Sequence, residues 1–145
     1  MGDKRPESVL VVVHTPEMAI LLLERVFPQG FWQSVTGSLE GDETPVETAC
    51  RELREETGLA SDPAQLVDWR LTNRYLIPPA WRHRYPAGTL HNTERVFSYP
   101  VERAFAPRLA PAEHRGARWM PWREALGLTP SWTNRDAIRL VAGRL

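Results

Sequence analysis

Apolar positions follow two different periods along the chain. Ser8 to His14 (SVLVVVH) is a run of β-branched residues and predicts a buried strand. Thr15-Pro16-Glu17-Met18 predicts a turn, and Ala19 to Arg25 (AILLLER) the returning strand of a hairpin. Pro28-Gln29-Gly30 breaks the chain again, and Phe31 to Thr36 predicts a short extended segment that delivers it to Gly37. The period then changes. Val46, Ala49, Cys50 and Leu53 recur at helical spacing and form one apolar stripe. Thr44 can cap this helix, Pro45 suits its first position, and Glu47 can close a capping box. Gly58 supplies a stop, so the helix is predicted over 45–57.

Beyond it, Gln65 to Asn73 predicts a strand carrying Leu66, Val67, Trp69 and Leu71. Arg74 to Asn92 contains Pro78-Pro79, Pro86 and Gly88 and predicts a loop long enough to be functional or mobile. Thr93 to Val101 predicts another strand, Arg103 to Gly116 an irregular stretch, and Ala117 to Trp122 a short strand. Glu124 to Leu128 predicts a helical turn, and Asn134 to Arg144 a closing helix. Strands, helix, strands and helix in that order predict an α/β fold with a mixed sheet between helices.

A chain of 145 residues is expected to form one domain, 1–145, with a proper core. Its eighteen basic and eighteen acidic side chains cancel. The aromatic and basic segment from Arg74 to Tyr85 hints at nucleic acid, but there is no broad basic stripe to support that partner. No apolar run reaches a membrane span, and MGDKRPES lacks a signal-peptide core, so a cytoplasmic protein is expected. Cys50, the single cysteine, excludes an internal disulfide. On the apolar stripe it reads as a small buried hydrophobe rather than a nucleophile.

Chemistry concentrates in Gly37 to Leu59, GSLEGDETPVETACRELREETGL, with seven acidic residues in 23 positions. Gly37 and Gly41 bracket a loop that lets a ligand or ion approach the main chain. Glu52, Glu55 and Glu56 fall within about one helical turn. Three carboxylates so close repel one another, and Arg51, through pairs with Glu47 and Glu55, can relieve only part of it. A divalent cation such as Mg²⁺ would relieve the rest, since it takes hard oxygen ligands and leaves positions for water and phosphate. A solvated helix face with ordinary ion pairs is the bland alternative for any Glu/Arg-rich helix.

The spacing Gly37, five residues, Glu43, seven residues, Arg51-Glu52-Leu53, one residue, Glu55-Glu56-Thr57-Gly58-Leu59 resembles the Nudix hydrolase signature at every fixed position. That resemblance implies an α/β/α sandwich and a hydrolase of phosphoric anhydrides dependent on Mg²⁺ or Mn²⁺. It implies metal ligation by Glu52, Glu55, Glu56 and the Gly37 carbonyl, orientation of the carboxylates by Arg51, and a Glu43 that stabilises the helix. Members often supply a further acid from a loop late in the chain, and Glu113 is preferred here over Glu102 and Glu94 as ligand or base. Glu52, Glu56, Glu113 and Arg51 form the expected catalytic set.

A second, looser likeness spans almost the whole chain. Phe31 to Ser38, Arg82-His83-Arg84-Tyr85, Asn92-Thr93-Glu94 and Ser131 to Arg135 resemble the bacterial dihydroneopterin triphosphate pyrophosphohydrolases of folate synthesis. It implies a small-molecule triphosphate substrate cut to a monophosphate and pyrophosphate. Lys4 and Arg25 are candidates for its phosphates, although a surface ion pair suits Arg25 equally. Thr36, Tyr75, Ile77 and Ser131 are candidates for the ring, against core packing for Tyr75 and Ile77 and a helix cap for Ser131. An oxidised purine nucleotide or a dinucleoside polyphosphate is the alternative substrate. A domain that binds a nucleotide without cutting it is the alternative function. Trp32 and Trp132 are read as core.

Overall fold

β1 (Glu7–His14) is buried at every position after Glu7 in the computed structural model, which describes residues 2–143. Its side chains alternate between two cores, as a strand covered on both faces requires. Val9, Val11 and Val13 cluster with Ala49 and Leu53 of α1 (Pro45–Thr57). Leu10 and Val12 cluster with Ala125 of α2 (Trp122–Leu128) and with Ala137, Ile138 and Val141 of α3 (Trp132–Ala142). The α/β/α layering thus follows from one apolar strand.

β1 and β2 (Ala19–Arg25) pair antiparallel at His14 and Ile20. Farther along, β3 (Trp32–Gln33) pairs with β2 at Leu23, while β4 (Val35–Ser38) pairs with β1 from Val11 to Ser8. The chain therefore crosses from one strand of the hairpin to the other at Ser34, which is fully buried. The Ser34 N–H donates to Asn134 Oδ1 at 2.7 Å and ties the start of α3 to this crossing. β5 (Val67–Leu76), β6 (His91–Pro100) and β7 (His114–Pro121) complete a seven-stranded mixed sheet. In it β6 is parallel to β1, and β5 and β7 are antiparallel to their neighbours.

The capping box of α1 is present, with Thr44 and Glu47 bonded to each other's backbone N–H, and Gly58 ends the helix at φ 80°. The helix is rolled differently from the apolar stripe. Its buried side carries Thr48, Ala49, Glu52, Leu53, Glu56 and Thr57, whereas Val46 is 38% exposed and Cys50 is half-buried. Two glutamates take positions that hydrophobicity alone would give to Val46 and Cys50. Glu47 is engaged in the cap, so Arg51 pairs with Glu43 instead.

The long 74–92 loop is shorter than expected. β5 continues through Tyr75 and Leu76 because Arg74, Tyr75 and Leu76 pair with Thr93, Asn92 and His91, and a 3-10 turn (Pro79–Arg84) fills much of the remainder. Pro63 starts a separate 3-10 turn, which takes Gln65 out of the strand. β7 begins at His114, three residues earlier than its apolar pattern suggests, because the ladder with β2 runs to Arg25. α3 begins at Trp132 under a Ser131 cap; Arg144, the expected last helical residue, lies outside the described residues. Among the described residues no helix is long and apolar enough to cross a membrane.

Candidate active site

A cleft of about 1210 Å³ opens where β4, the N-terminal ends of β1 and β6, the chain before β7 and the start of α3 meet. Lys4, Arg25, Thr36, Gly37, Glu52, Glu55, Tyr75, Ile77, Glu113 and Ser131 all border it. Residues separated by more than a hundred positions are thereby brought to one surface. Glu56 lies behind this lining and is 1% exposed.

The carboxylate wall depends on Arg51. Its guanidinium donates to both oxygens of Glu43, at 2.7 and 3.0 Å, to Glu52 at 2.5 Å, to Glu55 at 3.2 Å and to the Ser38 carbonyl at 3.0 Å. One planar, permanently charged group thus fixes loop and helix together. The Arg51 hydrogen bonds hold the Glu43 carboxyl at about 2. These bonds hold the Glu43, Glu52 and Glu55 carboxylates in fixed positions around Arg51. A Cβ at Gly37 would fall on the Glu52 carboxylate and force it out of the position in which Arg51 holds it.

Behind Glu52, the buried Glu56 oxygens face the Glu52 carboxyl and the Thr36 backbone. Burial, then the Glu52 and Glu113 carboxylates, push the Glu56 pKa well above the usual range. Burial also raises Glu52, against the pull of Arg51. His114 Nε2 stands 3.8 Å from Glu56 Oε1 and 3.2 Å from Gln33 Nε2. Burial and Arg25 lower the His114 pKa to about 4, so the ring is neutral at pH 7 and does not compensate Glu56.

Cations line the adjoining part of the cleft. Lys4, Arg25 and Arg84 lie close enough that Arg84 and Arg25 lower the Lys4 pKa, after burial, while Glu52 and Glu113 oppose them. The Lys4 N–H donates to the Arg84 carbonyl at 3.0 Å, which straps the N-terminal segment onto the 3-10 turn. The Arg25 guanidinium lies 5.3 Å from the Trp81 ring centre and 6.0 Å from that of Phe31. Such stacking orients a cation without neutralising it. An anionic ligand with several charges fits here.

The remaining end is polar and uncharged except for Glu94. Asn92 Nδ2 donates to Ser8 Oγ at 2.8 Å and to the Tyr75 hydroxyl at 3.0 Å. Ile77, 1% exposed, supplies an apolar surface. Thr36 bonds the Val9 carbonyl at 2.8 Å, and Ser131 both caps α3 and borders the cleft. Trp132 corrects the expectation of a core residue: it is 47% exposed at the cleft rim. Trp32 is half-buried with the Arg118 guanidinium 5.9 Å from its ring centre.

Among the described residues no three acidic or histidine side chains already converge as a finished metal cage. The donor chemistry nevertheless fits a hard divalent cation. Glu52 and Glu56 are buried carboxyl groups whose pKa burial raises, and Glu113 adds to the repulsion on Glu56; a bound cation would offset both effects.

Sequence reasoning does not place Arg84, Gln33, His114 or Asn92 individually in the site, and it weighs Glu94 only as an alternative to Glu113 for the late acid. Glu94 carried a signal: it precedes Val96 by two in an alternating strand, on the side that turns out to be buried.

Comparison with known proteins converges on one family. The NUDIX domain model matches residues 4–141. The chain is 39% identical over 140 residues to the dihydroneopterin triphosphate diphosphatase of Escherichia coli K12, covering 93% of this chain and 91% of that one. It is 38% identical over 142 residues to the diphosphatase of the same name from Haemophilus influenzae, covering 96% and 89%. The solved structure of the E. coli dihydroneopterin triphosphate pyrophosphohydrolase superposes over 100% of both chains with a TM-score of 0.90 at 35% identity.

Proposed function

The chain belongs to the Nudix hydrolase family, and from that premise we propose that it cleaves dihydroneopterin triphosphate to the monophosphate and pyrophosphate, a step of folate biosynthesis. The observation that carries this reading is the chemistry gathered in one cleft: the carboxylates Glu52, Glu55 and Glu113, the cations Lys4, Arg5, Arg25 and Arg84, and Tyr75, Ile77, Asn92 and the buried Glu94. A molecule with a polyanionic tail and a flat polar head matches that lining.

Lys4, Arg25 and Arg84 take the charge of the phosphate chain, with Arg25 aimed by its aromatic neighbours. Tyr75, Ile77, Thr36 and Ser131 enclose the head group. Glu52, Glu55, Glu56, Glu113 and the Gly37 carbonyl are the groups that would hold Mg²⁺ or Mn²⁺. A divalent ion held by these residues would supply neutralisation of phosphate oxygens and a more acidic water molecule. Glu113, exposed on the loop before β7, takes the proton of the attacking water. The water oxygen bonds to phosphorus as the phosphoanhydride P–O bond breaks, and pyrophosphate leaves with the electron pair. Arg51 keeps Glu52 and Glu55 in place throughout. Positioning and charge neutralisation supply the acceleration, so no side-chain nucleophile is needed. The polar triphosphate and the single cysteine fit work in the cytoplasm on a small molecule.

Phosphorus NMR of the reaction tests this. Pyrophosphate and dihydroneopterin monophosphate should appear with Mg²⁺ and stop appearing with EDTA. Release of orthophosphate, or no turnover of this substrate, would overturn the assignment.

A further inference from the structure

At the uncharged end of the cleft, Glu94 is 4% exposed, and its Oε1 has no hydrogen-bond partner. Asn92, two residues before it and 2% exposed, also leaves its Oδ1 without a partner, because its amide nitrogen is the atom engaged by Ser8 and Tyr75. Both residues border the cleft. Among the described residues no basic side chain pairs with Glu94; only the Thr133 hydroxyl offsets its desolvation. Buried polar atoms in a native fold nearly always have partners, so two free acceptors side by side on a cleft wall call for donors from outside.

We propose that Glu94 selects the ring of the substrate, its carboxylate receiving two adjacent N–H donors of a 2-amino-4-oxo edge, with Asn92 Oδ1 a neighbouring acceptor. This rests on the pyrophosphohydrolase reading above. A pterin presents those donors at its ring N–H and exocyclic amine, and guanine presents the same pair. Adenine presents an acceptor beside its amine and would leave one carboxylate oxygen buried against a lone pair. A site built to bond two donors rejects a ring lacking one of them far more strongly than an apolar pocket does. The discriminating element is therefore the acid on β6, which lies outside the signature helix.

The test is Glu94→Gln, which keeps the shape and replaces one acceptor by a donor. With Mg²⁺, kcat/KM for dihydroneopterin triphosphate and for GTP should fall by roughly 10- to 100-fold, the range of one bidentate pair. The loss should lie in KM, with kcat nearly unchanged, and ATP turnover should hold or rise. An unaltered KM and an unaltered GTP-to-ATP ratio would overturn the proposal. Metal-free binding of neopterin, followed by fluorescence, separates this from the reaction assignment. If wild type binds neopterin and the variant binds at least 10-fold more weakly, ring selection stands even where the triphosphate is not cleaved. Equal binding sinks it, whatever the turnover. Thermal melting confirms that the variant is folded, and Thr133→Val, which removes only the hydroxyl beside the carboxyl, should weaken neopterin binding in the same direction.

Discussion

Glu94→Gln also has a consequence for stability that can be worked from its surroundings. Burial raises the Glu94 pKa to about 7 from an ordinary 4.5. The folded state therefore holds this proton to a higher pH than the unfolded chain does. The stability tied to it is fully present below pH 4.5 and is lost as pH rises through about 7. At 1.36 kcal/mol per unit the full loss is roughly 3 kcal/mol, and most of it, about 2–3 kcal/mol, falls between pH 5 and pH 8. The glutamine variant has no such titration. Urea unfolding in EDTA at both pH values should show wild type losing about 2–3 kcal/mol more than Glu94→Gln across the interval. With urea slopes of about 1–3 kcal/mol per molar, that is a differential midpoint shift of roughly 1 M or more. Glu52 and Glu56 titrate in both proteins and cancel in the comparison. Equal losses in the two proteins would refute the reasoning.

Three other outcomes follow from the carboxylate wall. Gly37→Ala places a Cβ on the Glu52 carboxylate, so turnover should fall by at least about 100-fold, on the scale of a displaced catalytic group, while circular dichroism stays native. Glu52→Gln and Glu56→Gln should each lose turnover by about 1000-fold or more, as expected for lost electrostatic stabilisation, and remain folded. Near-normal rates in both would remove the metal assignment, and an unchanged rate in Glu113→Gln would move the base elsewhere. Arg51→Ala should return the Glu43 pKa from about 2 toward its ordinary 4.5, read by carboxyl NMR, and reduce kcat by weakening the hold on Glu52.

The signature stretch was legible in sequence because its function depends on local spacing. One helix and its loop carry Gly37, Glu43, Arg51, Glu52, Glu55 and Glu56; helical geometry groups Glu52, Glu55 and Glu56, and the resemblance to the family signature adds Gly37, Glu43 and Arg51. The roll of that helix was not legible. Val46 and Cys50 look apolar, yet Glu52 and Glu56 occupy the buried side, an arrangement that runs against side-chain transfer energies. The substrate end was less accessible still. Glu94, Asn92, Tyr75 and Ser131 come from three distant segments: strand register joins Tyr75 to Asn92, and the packing of α3 brings in Ser131. The ladder pairing Tyr75 with Asn92 lies in the stretch that prolines mark as loop. Trp132 looked like core because it is large and apolar, but its place at the first turn of α3 leaves it at the cleft rim.

A cleft in which a metal-dependent acidic helix cuts a triphosphate with a pterin ring should reveal itself in kcat/KM with Mg²⁺, measured across dihydroneopterin triphosphate, 8-oxo-dGTP, GTP, ATP and diadenosine tetraphosphate with products identified. The highest value is expected for dihydroneopterin triphosphate, with pyrophosphate as product; a clear preference for 8-oxo-dGTP or for diadenosine tetraphosphate would overturn the pterin assignment.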